Sequence, residues 1–127
     1  MKITSFNPLI VTKDPESIIA LFEALGFERR HTIEGTAKSG VDVVSVRMKD
    51  ANGFYVDVAH TPNTQQDLTL IRMNVPDFDE AYDFLTARGF KGNRDSKGME
   101  TRTNRSAMMV SPSGFAFDLC QHIKTEG

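Results

Sequence analysis

The sequence predicts an α+β fold built from two tandem βαβββ modules, which pair into a half-barrel of mixed sheets with the helices outside. Three observations carry this. The segment KDPESIIALFEALGFE, starting at Lys13, returns as PDFDEAYDFLTARGFK, starting at Pro76. Asp14 then matches Asp77, Gly26 matches Gly89 and Phe27 matches Phe90, each pair 63 residues apart. The segment GFYVDVAH, starting at Gly53, returns as GFAFDLCQ, starting at Gly114, matching Gly53 with Gly114, Phe54 with Phe115 and Asp57 with Asp118, each pair 61 residues apart. Finally, both blocks keep the same order, and the matched residues sit where secondary structure starts or stops. The 127 residues suit a single domain, with modules at about 1–62 and 68–123 and a short polar linker at 63–67.

Each element has its own signal. A strand over 6–11 leads to Asp14, which can cap a helix with Pro15 at its first position. Ile18, Leu21, Phe22 and Leu25 follow the spacing of one apolar helical stripe, and Gly26 ends the helix. Strands follow over 27–33, 41–48 and 54–59. In the second module a strand over 69–75 leads to Asp77, with Glu80 completing a capping-box pattern. Ala81, Tyr82, Phe84 and Leu85 form the buried helical face, and Gly89 stops the helix. Strands follow over 90–94, 105–110 and 115–121. The polar, glycine-punctuated segment 92–104 reads as a hairpin loop or as a lid carrying Arg94, Arg102 or Arg105 to a ligand.

Strand alternation assigns the faces. Phe54, Val56 and Val58 oppose Tyr55, Asp57 and Ala59. Phe115, Phe117 and Leu119 oppose Ala116, Asp118 and Cys120. The wholly apolar faces belong under the helices, so both aspartates look into the open side of the sheet. The same alternation places Pro8, Ile10, Ile71, Met73 and Val75 under the helices, and Asn7, Leu9, Val11, Leu70, Arg72 and Asn74 on the open face. Of Met108 and Met109, one faces each way. One helix cannot cover both faces of its sheet, so the two modules pair around a concave, mainly apolar pocket, the usual setting of a small-molecule site.

Composition limits the partners. A net charge of −2 gives no basic excess for binding a phosphate backbone, so nucleic acid is not expected. No apolar run approaches the ~18 residues of a membrane span, and the N-terminal apolar stretch is too short for a signal peptide. Cys120 is the only cysteine, which rules out an internal disulfide and suits a reducing, cytoplasmic setting. Burial would leave its thiol inert, and exposure on the pocket side would make it reactive. No Ser-His-Asp arrangement, phosphate-cradling glycine loop or CxxC pair is present.

The doubled module order, the strand–Asp–helix–Gly–Phe segments at 7–27 and 70–90, and the Gly-Phe-x-x-Asp strands at 53–57 and 114–118 resemble the vicinal oxygen chelate superfamily. That group includes glyoxalase I, extradiol dioxygenases, and bleomycin- and fosfomycin-resistance proteins. The resemblance covers almost the whole chain. It implies metal-ligand positions early in the first strand and late in the last strand of each module, which here are Asn7, Asp57, Leu70 and Asp118. The family's usual ligands there are His, Gln or Glu. Leucine has no donor, Asn7 offers a weak neutral oxygen, and an aspartate is one methylene short. His122 lies ~13 Å along the strand from Asp118, His60 has the opposite parity to Asp57, and His31 sits among arginines. No metal cofactor is therefore expected. A magnesium or manganese ion held by Asp57, Asp118 and waters is the remaining variant.

The expected function is that of a metal-independent small-molecule-binding protein of the glyoxalase/bleomycin-resistance type. Its ligand would lie in the concave pocket against Asn7, Tyr55, Asp57, Arg72 and Asp118. Arg72 takes as its partner either an anionic ligand group or one of the aspartates. Should the aspartates lie close and dry, one would have a raised pKa and act as acid or base. The competing expectation is an enzyme with an atypical ligand set: a metal-dependent lyase, isomerase or dioxygenase of the same superfamily. A third is a concave face filled by a partner or by the chain's own side chains. The resemblance also implies a homodimer.

Overall fold

The computed structural model describes residues 1–36, 42–62, 64–92, 99–100 and 104–122. The elements run β1 (Ser5–Thr12), α1 (Pro15–Ala24), β2 (Glu28–Thr36), β3 (Asp42–Lys49), β4 (Tyr55–His60), β5 (Leu68–Asn74), α2 (Phe78–Thr86), β6 (Met99–Glu100), β7 (Asn104–Val110) and β8 (Ala116–His122). All eight strands join one mixed sheet in the order β2-β3-β4-β1-β5-β8-β7-β6. Each module's first strand lies parallel to its last, β1 to β4 and β5 to β8. The modules meet where β1 and β5 pair antiparallel, from Ser5 opposite Asn74 to Val11 opposite Leu68. The two expected sheets are thus one continuous half-barrel sheet.

The repeat is a repeat of backbone conformation. Asp14 accepts hydrogen bonds from the Ser17 amide at 3.3 Å and the Ser17 hydroxyl at 2.7 Å, and Asp77 accepts from the Glu80 amide at 3.1 Å. Gly26 and Gly89 leave their helices with φ of 106° and 91°, and Gly53 and Gly114 turn with φ of 89° and 109°. These are conformations that side chains with a Cβ rarely adopt.

Two clusters form the core, one beneath each helix. Ile19, Val46, Met48, Val56 and Val58 pack together, with Ile10, Ile18, Phe22 and Phe27 against them. Met73, Val75, Phe78, Ala81, Leu85, Ala107, Met109 and Leu119 form the other, with Tyr82, Phe90 and Phe117 against them. The strand faces follow the alternation, but the helix stripes need correction. Leu21, Leu25 and Phe84 are exposed, while Ile19 and Phe78 are buried. The stripe that meets the sheet runs through Ile18, Ile19 and Phe22 in α1 and through Phe78, Ala81 and Leu85 in α2, and Leu21, Leu25 and Phe84 lie off it. Phe54 and Phe115, expected on the apolar faces, precede β4 and β8 and are exposed.

The strand expected over 90–94 is also corrected. Lys91 makes only an isolated bridge to Val110, and the strand pairing with β7 is Met99–Glu100. Residues 93–98 and 101–103 of the hairpin or lid segment lie outside the described residues.

The matched glycines allow a direct comparison. A Cβ at Gly26 would meet nothing within 4 Å, whereas one at Gly89 would lie 2.9 Å from Pro112 Cγ. Gly26→Ala should therefore lose about 1–2 kcal/mol through backbone strain alone. Gly89→Ala should lose a further ~1 kcal/mol or more through crowding. Urea unfolding of both variants checks the order.

Candidate functional site

The strand register brings charged side chains from both modules to the centre of the concave face. One row across the sheet reads Arg47, Asp57, Leu9, Leu70 from β3 through β4 and β1 to β5. The next row reads Asn7, Arg72, Asp118, Met108 from β1 through β5 and β8 to β7. Alternation places these residues opposite the two apolar cores.

Asp57 is the hub, with a side chain of 0% exposure. Arg47 grips it with two bonds, Nε to Oδ1 at 2.9 Å and Nη2 to Oδ2 at 2.9 Å. Arg72 donates from Nη1 to Asp57 Oδ2 at 3.0 Å and to Ser45 Oγ at 2.9 Å, and from Nε to Asp118 Oδ2 at 2.8 Å. Arg47 Nη2 also donates to Asn7 Oδ1 at 3.1 Å, and Cys120 Sγ donates to Asp118 Oδ2 at 3.3 Å. The arginine side chains keep 13% exposure at Arg72 and 26% at Arg47. Tyr55 stands beside this group, with the Arg47 guanidinium 5.3 Å from its ring centroid.

The electrostatics follow from this packing. Burial pushes the Asp57 carboxyl up, but the Arg47 hydrogen bond and the charges of Arg72 and Arg47 outweigh it and leave its pKa below the ordinary carboxylate value. Burial likewise opposes the charge on Arg72, and Asp118 and Asp57 overcome it, so Arg72 stays protonated. The hydrogen bond to Asp57 raises Arg47 as well. Burial first, and then the Asp118 charge, push the Cys120 thiol well above its ordinary value. Cys120 is buried, as its inert reading requires, and Asp57 is lowered, not raised as the acid of a proton-sharing pair would be. Arg72 lies between Asp57 and Asp118 and neutralises both.

The structure therefore brings Asn7, Tyr55, Asp57, Arg72 and Asp118 to one place. The concave centre is an ion-pair network, not the mainly apolar surface expected. Arg47 and Ser45 are the members that sequence reasoning passed over. Their signal lay in VSVRMK: once Val46 and Met48 go under the helix, Ser45 and Arg47 must share the open face.

The metal positions implied by the resemblance can be tested against these contacts. Leu70 has no donor. The Asn7 oxygen and both Asp57 oxygens accept from guanidinium groups, and Asp118 Oδ2 accepts from Arg72 and Cys120. A divalent ion there would meet two fixed positive charges. Among the described residues no group of three His, Cys, Asp or Glu side chains could hold a metal ion. This donor set does not fit one.

A cavity of about 540 Å³ lies at the module seam, lined by Phe6, Asn7, Pro8, Leu70, Ile71 and Phe115 among others. Phe6, Pro8, Ile71 and Phe115 alternate onto the helix side of the sheet, and Asn7 and Leu70 onto the concave side. Phe6 and Phe115 are 57% and 52% exposed there.

Three solved structures share this architecture. A variant of methylmalonyl-CoA epimerase from Streptomyces coelicolor, in complex with 2-nitronate-propionyl-CoA, superposes with a TM-score of 0.66 at 14% identity over 97% of this chain and 100% of that one. Glyoxalase I from Zea mays gives 0.60 at 18% identity over 97% of this chain and 44% of that chain, which is more than twice as long. A glyoxalase/bleomycin resistance protein/dioxygenase superfamily member from Vibrio splendidus 12B01 gives 0.53 at 16% identity over 94% and 99%. The chain has the vicinal oxygen chelate fold. No family model and no curated protein matches the sequence. No helix among the described residues is long and apolar enough to cross a membrane.

The lowered pKa of Asp57 predicts an acid-sensitive fold. The folded chain holds this proton more weakly than the unfolded chain does. The stability Asp57 contributes is complete above the unfolded carboxylate value of ~3.9 and is lost as pH falls through the lower folded-state value. Asp57→Asn should remove that acid step and, by leaving two guanidiniums short of a partner, lower stability at pH 7 by about 3–5 kcal/mol. Urea unfolding across a pH series measures both.

Proposed function

We propose that this chain is a metal-independent small-molecule-binding protein of the glyoxalase/bleomycin-resistance type. It holds its ligand on the concave face over Arg47 and Arg72, with Asn7, Tyr55, Asp57 and Asp118 around them. The observation that carries this reading is the place of Arg72. Its guanidinium bonds both matched aspartates, at 3.0 Å to Asp57 and 2.8 Å to Asp118. The centre thus has a permanent cation of its own, and its carboxylates are already engaged. The reading takes support from the Streptomyces epimerase structure, in which this fold is found with an organic ligand. A reducing, cytoplasmic setting is part of the same reading, in keeping with one buried free thiol.

The competing reading is a metal-dependent lyase, isomerase or dioxygenase with an atypical ligand set. Protein produced in medium supplemented with zinc, manganese, nickel and iron, and purified without chelators, separates the two. The expected result is substoichiometric metal by elemental analysis and no stabilisation when these ions or magnesium are added in a thermal melt. Stoichiometric metal that is lost on Asp57→Ala or Asp118→Ala would overturn the proposal in favour of the enzyme.

The proposal also includes a homodimer, whose candidate interface is the seam cavity on the helix side. Large exposed apolar side chains gathered at one groove mark an interaction surface. Phe6 and Phe115 are such a pair, flanking the junction of the two modules. Light scattering coupled to size exclusion should give a dimer for the native chain and a monomer for Phe6→Asp. A native chain that stays monomeric at the highest concentration measured removes the dimer from the proposal.

A further inference from the structure

We propose that the concave face takes a carboxylate, carried on a small molecule with an apolar or aromatic body and bound by the outward ends of Arg47 and Arg72. This deepens the metal-free binding reading and rests on it.

Each of the two guanidiniums carries five N–H groups. In Arg47, Nε bonds Asp57 Oδ1, and Nη2 bonds Asp57 Oδ2 and Asn7 Oδ1. In Arg72, Nε bonds Asp118 Oδ2, and Nη1 bonds Asp57 Oδ2 and Ser45 Oγ. Arg47 Nη1 and Arg72 Nη2 remain, and among the described residues neither has an acceptor. No buried side-chain nitrogen or oxygen among those residues lacks a partner. Both nitrogens must therefore reach the open surface of the concave face.

The two ends are held close together. Arg47 and Arg72 bond the same Asp57 oxygen, at 2.9 and 3.0 Å. They come from β3 and β5, on either side of β4 and β1, so they converge over Leu9 and Asn7 at the middle of the sheet. Bonds at their inner edges fix both planes, so little side-chain freedom is lost when a ligand arrives. The inner carboxylates balance the two positive charges, which leaves outward N–H groups in a neutral surround. Such groups accept an anion and have nothing to offer a cation. A carboxylate presents two oxygens in one plane and suits paired guanidinium N–H donors.

The walls set the rest of the ligand. Tyr55 flanks Arg47 and is 38% exposed. Met108 is 40% exposed at the far end of the Asn7–Arg72–Asp118 row. Between them Leu70 is half-buried. An aromatic ring and a thioether on either side of a fixed anion site suit an apolar body, and methionine adapts to its shape.

Sodium benzoate and benzamide test this, since they share a ring and differ in charge. Each is titrated at constant ionic strength into the native chain and into Arg47→Gln, with calorimetry for affinity and the arginine Nε–Hε NMR signals for location. Benzoate should bind saturably at one site, shift the Arg47 and Arg72 signals, and bind at least about tenfold more tightly than benzamide. Arg47→Gln should abolish that preference, and Arg30→Gln, an exposed change on β2, should leave it intact. Equal affinities, or no saturable binding of benzoate, overturn the carboxylate assignment even if Arg47→Gln does not fold. Equal affinities leave the metal-free site standing, whereas stoichiometric metal in the elemental analysis overturns that earlier reading instead.

Discussion

Asp57 is a charged group with no contact with water, and the concave face is organised around keeping it charged. Removing a carboxylate from solvent carries a penalty of several kcal/mol even after relaxation. Three N–H groups from two arginines offset it here, the Arg47 pair binding both oxygens at once. Those arginines are useful only in one register. Arg47 must stand across from Asp57 on β3, and Arg72 must stand across from Asn7 on β5. The network therefore ties the two modules together with charge where the β1–β5 ladder already ties them with backbone hydrogen bonds.

The modules repeat in conformation but not in charge, and this difference makes the site. Arg47 lies across from Asp57, and the corresponding position across from Asp118 is Met108. Arg72 lies beside Asp118, and the corresponding position beside Asp57 is Leu9. Each aspartate thus has one arginine in register, supplied by a different neighbouring strand. A symmetric pair at the Arg47 position would stand far apart, on β3 and β7. Broken symmetry brings them to a common oxygen and leaves Met108 as an apolar rim. At the positions where the resemblance implies metal ligands, both aspartates are here bonded by arginines.

This also explains what was legible in the sequence. The glycine pairs Gly26 with Gly89 and Gly53 with Gly114 were readable because a positive φ restricts the choice of residue, and all four have it. The matched aspartates were readable because alternation set each opposite a wholly apolar face. Arg47 was not readable from the repeat, since its counterpart is a methionine. It follows only from the parity of its own strand. The helix faces went wrong for a different reason. Where apolar residues run more than half-way round a helix, periodicity does not say which part of them meets the sheet, so Leu21, Leu25 and Phe84 stay exposed while Ile19 and Leu85 are buried. The hub itself emerged only with the register, because three strands separate β3 from β8.

Stability alone does not account for such a network. Buried ion pairs are often matched or exceeded in stability by well-packed apolar residues of similar volume. The concave face retains charge where Leu9 and Leu70 show that apolar side chains fit. The helix side of the same two strands is the reverse, with Phe6, Pro8 and Ile71 around an apolar cavity. Alternation along β1 sets Asn7 on one surface and Phe6 and Pro8 on the other, and along β5 it separates Arg72 from Ile71. A slip of one residue between these strands would exchange the two sets, burying charge under the helices and placing phenylalanine among the arginines. The polar site and the apolar groove are therefore one commitment of the β1–β5 pairing, and neither can drift without the loss of the other.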